Sequence, residues 1–177
     1  LHREPTVHRM HWVADGQGGS QLVVVPLHGR GNRRGQGAAV KVLAYTPPAE
    51  DRSKPWMTEL IDQSMHVTHN FDPVQWDEDV AEELLLAGRE GVVLLDRQDK
   101  RWRRTELVNA SKFPEFEGAG EVRMGRVGGG RKVVATVEPF HGQRFVLYLE
   151  PQDGGDAWQR QVLCKDLAQG HAIACGD

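Results

Sequence analysis

Short apolar runs bounded by glycine, proline and charge recur along this chain, and their order repeats. From His66 a His-rich segment (His66, Val67, Thr68, His69) leads into an acidic loop holding Asp77 and Asp79. Leu84, Leu85 and Leu86 follow, then a turn over 88–91, then Val92, Val93, Leu94 and Leu95, and a last segment opens at Trp102. Upstream the same order runs from His8 and His11 through Asp15, an apolar run at 22–25, a Gly-rich loop, a run at 40–45 and a segment opening at Trp56. Downstream it runs from Glu121 and Val122 through a glycine turn at 128–130, the runs 133–137 and 145–149, and a segment opening at Trp158. Gly170-His171-Ala172 begins a further copy. Runs this short, rich in Val and Leu and closed by turn residues, read as strands. Four strands per unit at a period of about 50 residues predict the blades of a β-propeller.

The pattern therefore predicts an all-β chain, a partial propeller of about three four-stranded antiparallel blades. They fall at approximately 1–62, 63–113 and 114–168, with the start of the next at 169–177. A propeller closes with roughly 4 to 8 blades, so 177 residues read as part of a longer protein. Gly88-Arg89-Glu90-Gly91 reads as a tight hairpin turn. Residues 78–88 carry a helix-like spacing, which the repeat overrides. Residues 27–37 form a long loop bearing His28, Arg30, Arg33 and Arg34. A long loop within a compact repeat is functional or mobile.

Charge and composition narrow the partners. The formal net charge is −3, with Lys and Arg spread along the chain, which gives no support to a nucleic-acid partner. No apolar run approaches the roughly 20 residues of a membrane-spanning helix. Cys164 and Cys175 set no disulfide framework.

The histidines are the chemical signal. In a blade, the start of the first strand and the end of the second lie together at one end of the sheet. Strand-one starts carry His8, His11, His66, His69, Glu121 and His171; strand-two ends carry His28, Arg30, Arg89, Glu90, Glu138 and His141. Of the eight histidines, only His2 lies outside these positions. A concave rim of imidazole, guanidinium and carboxylate is the default site. Imidazole moves protons near neutral pH, Arg holds oxyanions, and His with Glu binds transition metals. The set suits proton abstraction beside a carbonyl followed by elimination. On that reading His69 and His141 are the catalytic candidates, and His28, Arg30, Arg89 and Glu121 hold substrate. His171, Glu138 and His66 are the metal candidates. Blander readings stand beside these: His8 and His66 as strand caps, Glu138 as the buried partner of an arginine, Arg33 and Arg34 as solvated loop charges. Trp56, Trp102 and Trp158 read as blade packing.

The wording of several motifs narrows the family. Pro26-Leu27-His28-Gly29-Arg30-Gly31, His69-Asn70-Phe71-Asp72-Pro73-Val74, Gly118-Ala119-Gly120-Glu121, Glu138-Pro139-Phe140-His141-Gly142 and Gly170-His171-Ala172 resemble FG-GAP/VCBS-repeat β-propellers. More narrowly they resemble the propellers of aldos-2-ulose dehydratase and related carbohydrate lyases. The resemblance implies seven blades in the full-length protein and metal-assisted elimination from a sugar or oligosaccharide. It further implies a cupin region elsewhere in the chain and a location that leans extracellular or periplasmic. It puts His28, His69, Glu138, His141 and His171 on the site. The implied cofactor is a divalent metal (zinc, magnesium or calcium), with no organic cofactor, no nucleic acid and no membrane. The family's calcium loop needs closely spaced carboxylates. Asp15-Gly16-Gln17-Gly18 keeps one and 128–130 keeps none, whereas Asp77-Glu78-Asp79 keeps enough for calcium. Two alternatives to the lyase remain: a non-catalytic propeller serving as an interaction or carbohydrate-binding scaffold, and a repeat array with structural calcium alone.

Overall fold

The computed structural model describes residues 4–77, 79–98, 101–152, 154–155 and 157–176. Its first sheet comprises β1 (Val7–Ala14), β2 (Ser20–Pro26), β3 (Val42–Thr46) and β4 (Met57–Asp62). The second comprises β5 (Thr68–Val74), β6 (Glu83–Gly88), β7 (Gly91–Gln98) and β8 (Arg101–Asn109). The third comprises β9 (Glu121–Val127), β10 (Arg131–Glu138), β11 (Arg144–Leu149) and β12 (Gln159–Cys164). Each sheet is antiparallel with its strands in chain order, which is the up-and-down meander of a propeller blade. Of the helix-like stretch 78–88, residues 83–88 form β6 and 79–82 lie in the loop before it, with Glu78 itself outside the described residues.

The unbroken apolar runs follow from burial on both sheet faces. Side chains alternate along a strand, so Leu84, Leu86, Val93 and Leu95 face the first sheet and meet Val23, Val25 and Ala44. Their neighbours Leu85, Ala87, Val92 and Leu94 face the third sheet and meet Val122, Val134, Val146 and Tyr148. The blades thus stack face to face through two cores, with β1, β5 and β9 adjacent at the inner side. The first sheet's other face carries Val24, Leu43 and Tyr45 flanked by Leu22 and Trp56. Met10 at 54% and Leu60 at 50% exposure continue the same row.

Beyond β12 the chain turns back over the free face of the third sheet. Leu167 N–H bonds the Gln143 carbonyl at 2.9 Å and Gly170 N–H the Gly142 carbonyl at 3.0 Å. Gly170 lies against Val137, where a Cβ would sit 2.9 Å from Cγ1. This segment holds no strand among the described residues, and it carries His171 back to the rim, against His141.

Candidate functional site

Three inner-strand starts and one loop build the site. His69 is the second residue of β5, Glu121 opens β9, and His8 lies at the start of β1. His141 stands on the loop between β10 and β11. Two glycines let that loop approach β9. A Cβ on Gly120 would lie 2.0 Å from the Phe140 carbonyl oxygen, and one on Gly142 would lie 2.3 Å from the Pro139 nitrogen. Both are incompatible with any side chain, so glycine is required for the close approach. Phe140 itself takes φ of 39°, a left-handed conformation uncommon for a non-glycine residue.

The consequence is a row of imidazoles. His69 Nε2 and His141 Nε2 are 3.0 Å apart. The His8 ring lies 4.6 Å from that of His69, and the His171 ring stacks on His141 at 4.1 Å. The proton positions follow from the partners. His69 Nδ1 lies 2.5 Å from the Gly120 carbonyl, which can only accept, so Nδ1 carries the proton and Nε2 keeps its lone pair. His141 Nε2–H must then donate to it, leaving Nδ1 of His141 as the free proton acceptor. Burial holds His69 well below the usual imidazole range, at about 4, reinforced by the positive fields of His8, His141 and Arg9. His141 is lowered by burial and by His171, while the Glu121 carboxylate pulls the other way.

Below the row lies a charged girdle. Glu121, 3% exposed, accepts from Asn70 Nδ2 at 2.5 Å and meets Arg9 Nη2 at 3.5 Å and Arg123 Nη2 at 3.9 Å. Arg123 also reaches Asp72 at 3.8 Å. Burial pushes Asp72 up, and Arg123 restrains it. A cleft of about 600 Å³ opens beside His141, lined in part by Glu117, Gln143, Arg144 and Lys165.

The structure brings His69, His141, His171 and Glu121 together, and adds His8 and Arg9. Arg9 was legible only as the strand neighbour of His8; nothing in its own context marks it. Other predicted residues lie at the same end of the sheets with different partners. His28 bridges to Val67, and its Nδ1 is buried without a hydrogen bond. Arg30 is exposed on the loop after β2, and Arg89 donates to the Arg34 carbonyl at 2.7 Å, strapping that loop to the second blade.

The metal trio His171, Glu138 and His66 is not assembled. Glu138 ends β10 on the face that carries Val134 and Thr136, which looks into the second blade rather than toward the rim. Its Oε2 accepts from Arg160 at 2.8 Å, and its Oε1 from Tyr148 at 2.7 Å and Thr136 at 2.8 Å. Both carboxylate oxygens are hydrogen-bonded and Arg160 is the cation beside them, so Glu138 is the buried partner of an arginine. His66 pairs with Glu90 at 3.0 Å, and its backbone N–H donates to the same carboxylate. Zinc takes three or four donors. Two rim nitrogens, His69 and His141, stand close enough to share an ion. The only trio of ligand atoms within 4.8 Å of one another among the described residues is Asp77 and Asp79, in the loop between β5 and β6, with Glu83, which opens β6. Glu83 is fully buried; Oε2 accepts from Trp76 N–H at 2.7 Å and Oε1 has no hydrogen-bond partner. Burial pushes its carboxyl up to about 7, with Asp77 and Asp79 adding to the rise.

Radially stacked four-stranded blades with a polar inner rim define a segment of a β-propeller. The sequence matches the family model of the aldos-2-ulose dehydratase β-propeller domain over residues 1–151, and the chain belongs to that family. Aldos-2-ulose dehydratase of Phanerodontia chrysosporium is 29% identical to it over 159 residues, a match covering 77% of this chain and 17% of that protein. The chain therefore spans 17% of the length of this relative.

Proposed function

We propose that this chain is the substrate-facing arc of a carbohydrate dehydratase propeller of the FG-GAP/VCBS type, one of seven-bladed form, acting by β-elimination. The single observation that carries the reading is the His69–His141 contact with its forced tautomers. His69, held near 4, is neutral at pH 7 but a weak base, and it suits the role of positioning its partner. His141, exposed at the mouth of the cleft, carries the free Nδ1 lone pair and is the general base. It takes the proton from the carbon beside the sugar carbonyl. The electron pair left behind forms the new C=C bond as the hydroxyl on the next carbon leaves as water, taking the proton back from the protonated His141. Arg9 and Arg123 face the oxyanion that develops at the carbonyl. His28, Arg30 and Arg89 sit where a larger sugar would extend along the rim.

Membership of the dehydratase propeller family and the polar cleft beside His141 support a sugar ligand. His69 and His141 supply two of the three or four donors that zinc takes, so no step here runs through a zinc ion. Asp77, Asp79 and Glu83 offer the hard oxygens that suit calcium or magnesium, and we assign the divalent cation of these blades to them.

The test uses the full-length protein and an aldos-2-ulose, following the ultraviolet absorbance of the enone product. His141→Ala and His69→Ala are each expected to lower the rate at least 10²-fold, the scale of a lost proton-transfer group, with the melting temperature unchanged. Turnover at the wild-type rate in both would leave the non-catalytic scaffold as the reading.

A further inference from the structure

The opposite end of the blades holds a second concavity. β5 carries His69 at its start, and Trp76 follows its far end, seven residues and about 20 Å away at the rise of a strand. There the second and third blades part to leave a cleft of about 780 Å³. Between the first and second blades an arginine crosses the corresponding space. Arg97, which pairs across the strands with Trp102, lies 5.6 Å over that ring and reaches the first blade, bonding Gln21 at 2.6 Å and meeting Glu59 at 3.8 Å. In the third blade Glu150 and Trp158 are the residues next beyond the last strand pair, Leu149↔Gln159, in the places that Arg97 and Trp102 hold in the second. Glu150 turns away, to Lys132 at 3.3 Å, and the space stays open.

The walls of the open cleft are of a recognisable kind. Trp158 and Trp76 form one side, with ring centroids 5.9 Å apart and planes inclined by 37°. Asp96 and Gln98, alternate residues of β7, form the other and are hydrogen-bonded to each other. Indole rings offer apolar planes to the C–H faces of a pyranose, and a paired carboxylate and amide offer acceptors and donors to its hydroxyls. Glu106 is paired with Arg104 at 3.5 Å and Glu150 with Lys132 at 3.3 Å, which leaves Asp96 as the lining carboxylate with no cation beside it among the described residues and favours a neutral sugar over a uronate or a sugar phosphate.

We propose that this cleft is a binding site for a neutral hexose oligosaccharide, separate from the imidazole rim, held between the Trp76–Trp158 pair and the Asp96–Gln98 pair. It would keep a polymeric or oligomeric sugar on the protein while the rim acts on its end. The inference does not depend on the rim being catalytic, because its readout is binding.

The experiment titrates the full-length protein with maltotriose and, separately, cellotriose, following tryptophan fluorescence and, by NMR, broadening of the sugar resonances. Saturable binding of at least one is expected. Asp96→Asn and Gln98→Ala should weaken it at least tenfold, and Trp158→Ala should abolish it, while His141→Ala leaves it unchanged. Asp96→Asn and Gln98→Ala keep the aromatic packing intact, so a folding defect in Trp158→Ala does not blunt the test. No saturation by about 10 mM, beyond the millimolar range of weak specific ligands, would overturn the proposal. So would binding that all the cleft variants retain, or saturation by tetramethylammonium in place of the sugars.

Discussion

Removing the guanidinium from the Glu138–Arg160 pair should cost more than any rim substitution. Glu138 is fully buried and Arg160 is 12% exposed, with 2.8 Å between Nη2 and Oε2. Arg160 Nε also donates to the Tyr148 hydroxyl at 3.2 Å, so one side chain supports two buried oxygens. Arg160→Met keeps the length of the side chain and deletes the charge. The carboxylate is then left with two hydroxyl donors and no cation, the situation that costs about 3–5 kcal/mol when a buried pair is broken from one side. At about 2–4 °C per kcal/mol for 150–250 residues, and about half that for a whole propeller melting as one unit, the melting temperature falls by roughly 3–10 °C. The pair itself is a weaker source of stability than that figure suggests, because burying both charges is costly. Accordingly the quadruple variant Glu138→Leu, Arg160→Met, Tyr148→Phe, Thr136→Val, which also removes the buried Thr136 hydroxyl that donates to Glu138, should recover most of the loss. The assay is thermal melting of the full-length protein, with hydrogen exchange on β10–β12 to localise the change to the third blade. A loss below about 1 kcal/mol in Arg160→Met, the value of an exposed pair, would refute the argument that Glu138 is a buried charge dependent on this partner.

Gly120→Ala should act on His141 from a distance. Its Cβ would lie 2.0 Å from the Phe140 carbonyl oxygen, so the loop must retreat; dehydration should fall about 10²-fold with little change in sugar binding at the far cleft. Glu83 titrates at about 7 against an ordinary carboxyl value of 4.5, so the folded chain binds the extra proton between these limits. Stability from this group is complete below pH 4.5 and is lost as pH rises through 7, by at most about 3 kcal/mol. Melting curves from pH 5 to 8 should show that decline, Glu83→Gln should flatten it, and millimolar calcium should reverse it at pH 8. Finally, the first sheet presents Met10, Trp12 and Leu60 on one face at 54%, 53% and 50% exposure. These 177 residues expressed alone should self-associate, and Met10→Lys with Leu60→Lys should shift light scattering toward monomer.

The repeat and the strands were legible because each blade is buried on two faces. A strand with two covered faces must be apolar throughout, and the runs at 84–87 and 92–95 carry that requirement in plain sequence. The glycines at 118, 120 and 142 were legible as motif residues, and the fold supplies their reason, the passage of the Phe140 loop over the start of β9. The clustering of histidines at strand starts was also visible, since a meander brings those positions to one end of every sheet. Which imidazoles touch was not. His69 and His141 are 72 residues apart, and their contact depends on how far one blade rotates against the next, which no local pattern encodes. Glu138 shows the same limit at a single residue. It sits three residues from His141, yet its side chain leaves the rim, because strand alternation sends it to the interface that holds Tyr148 and Arg160. Sequence alone determined the blades, through the burial that each strand must satisfy. Tertiary structure alone decided the site, because contacts across blades depend on sheet register and stacking angle, which are set by packing between segments far apart in the chain.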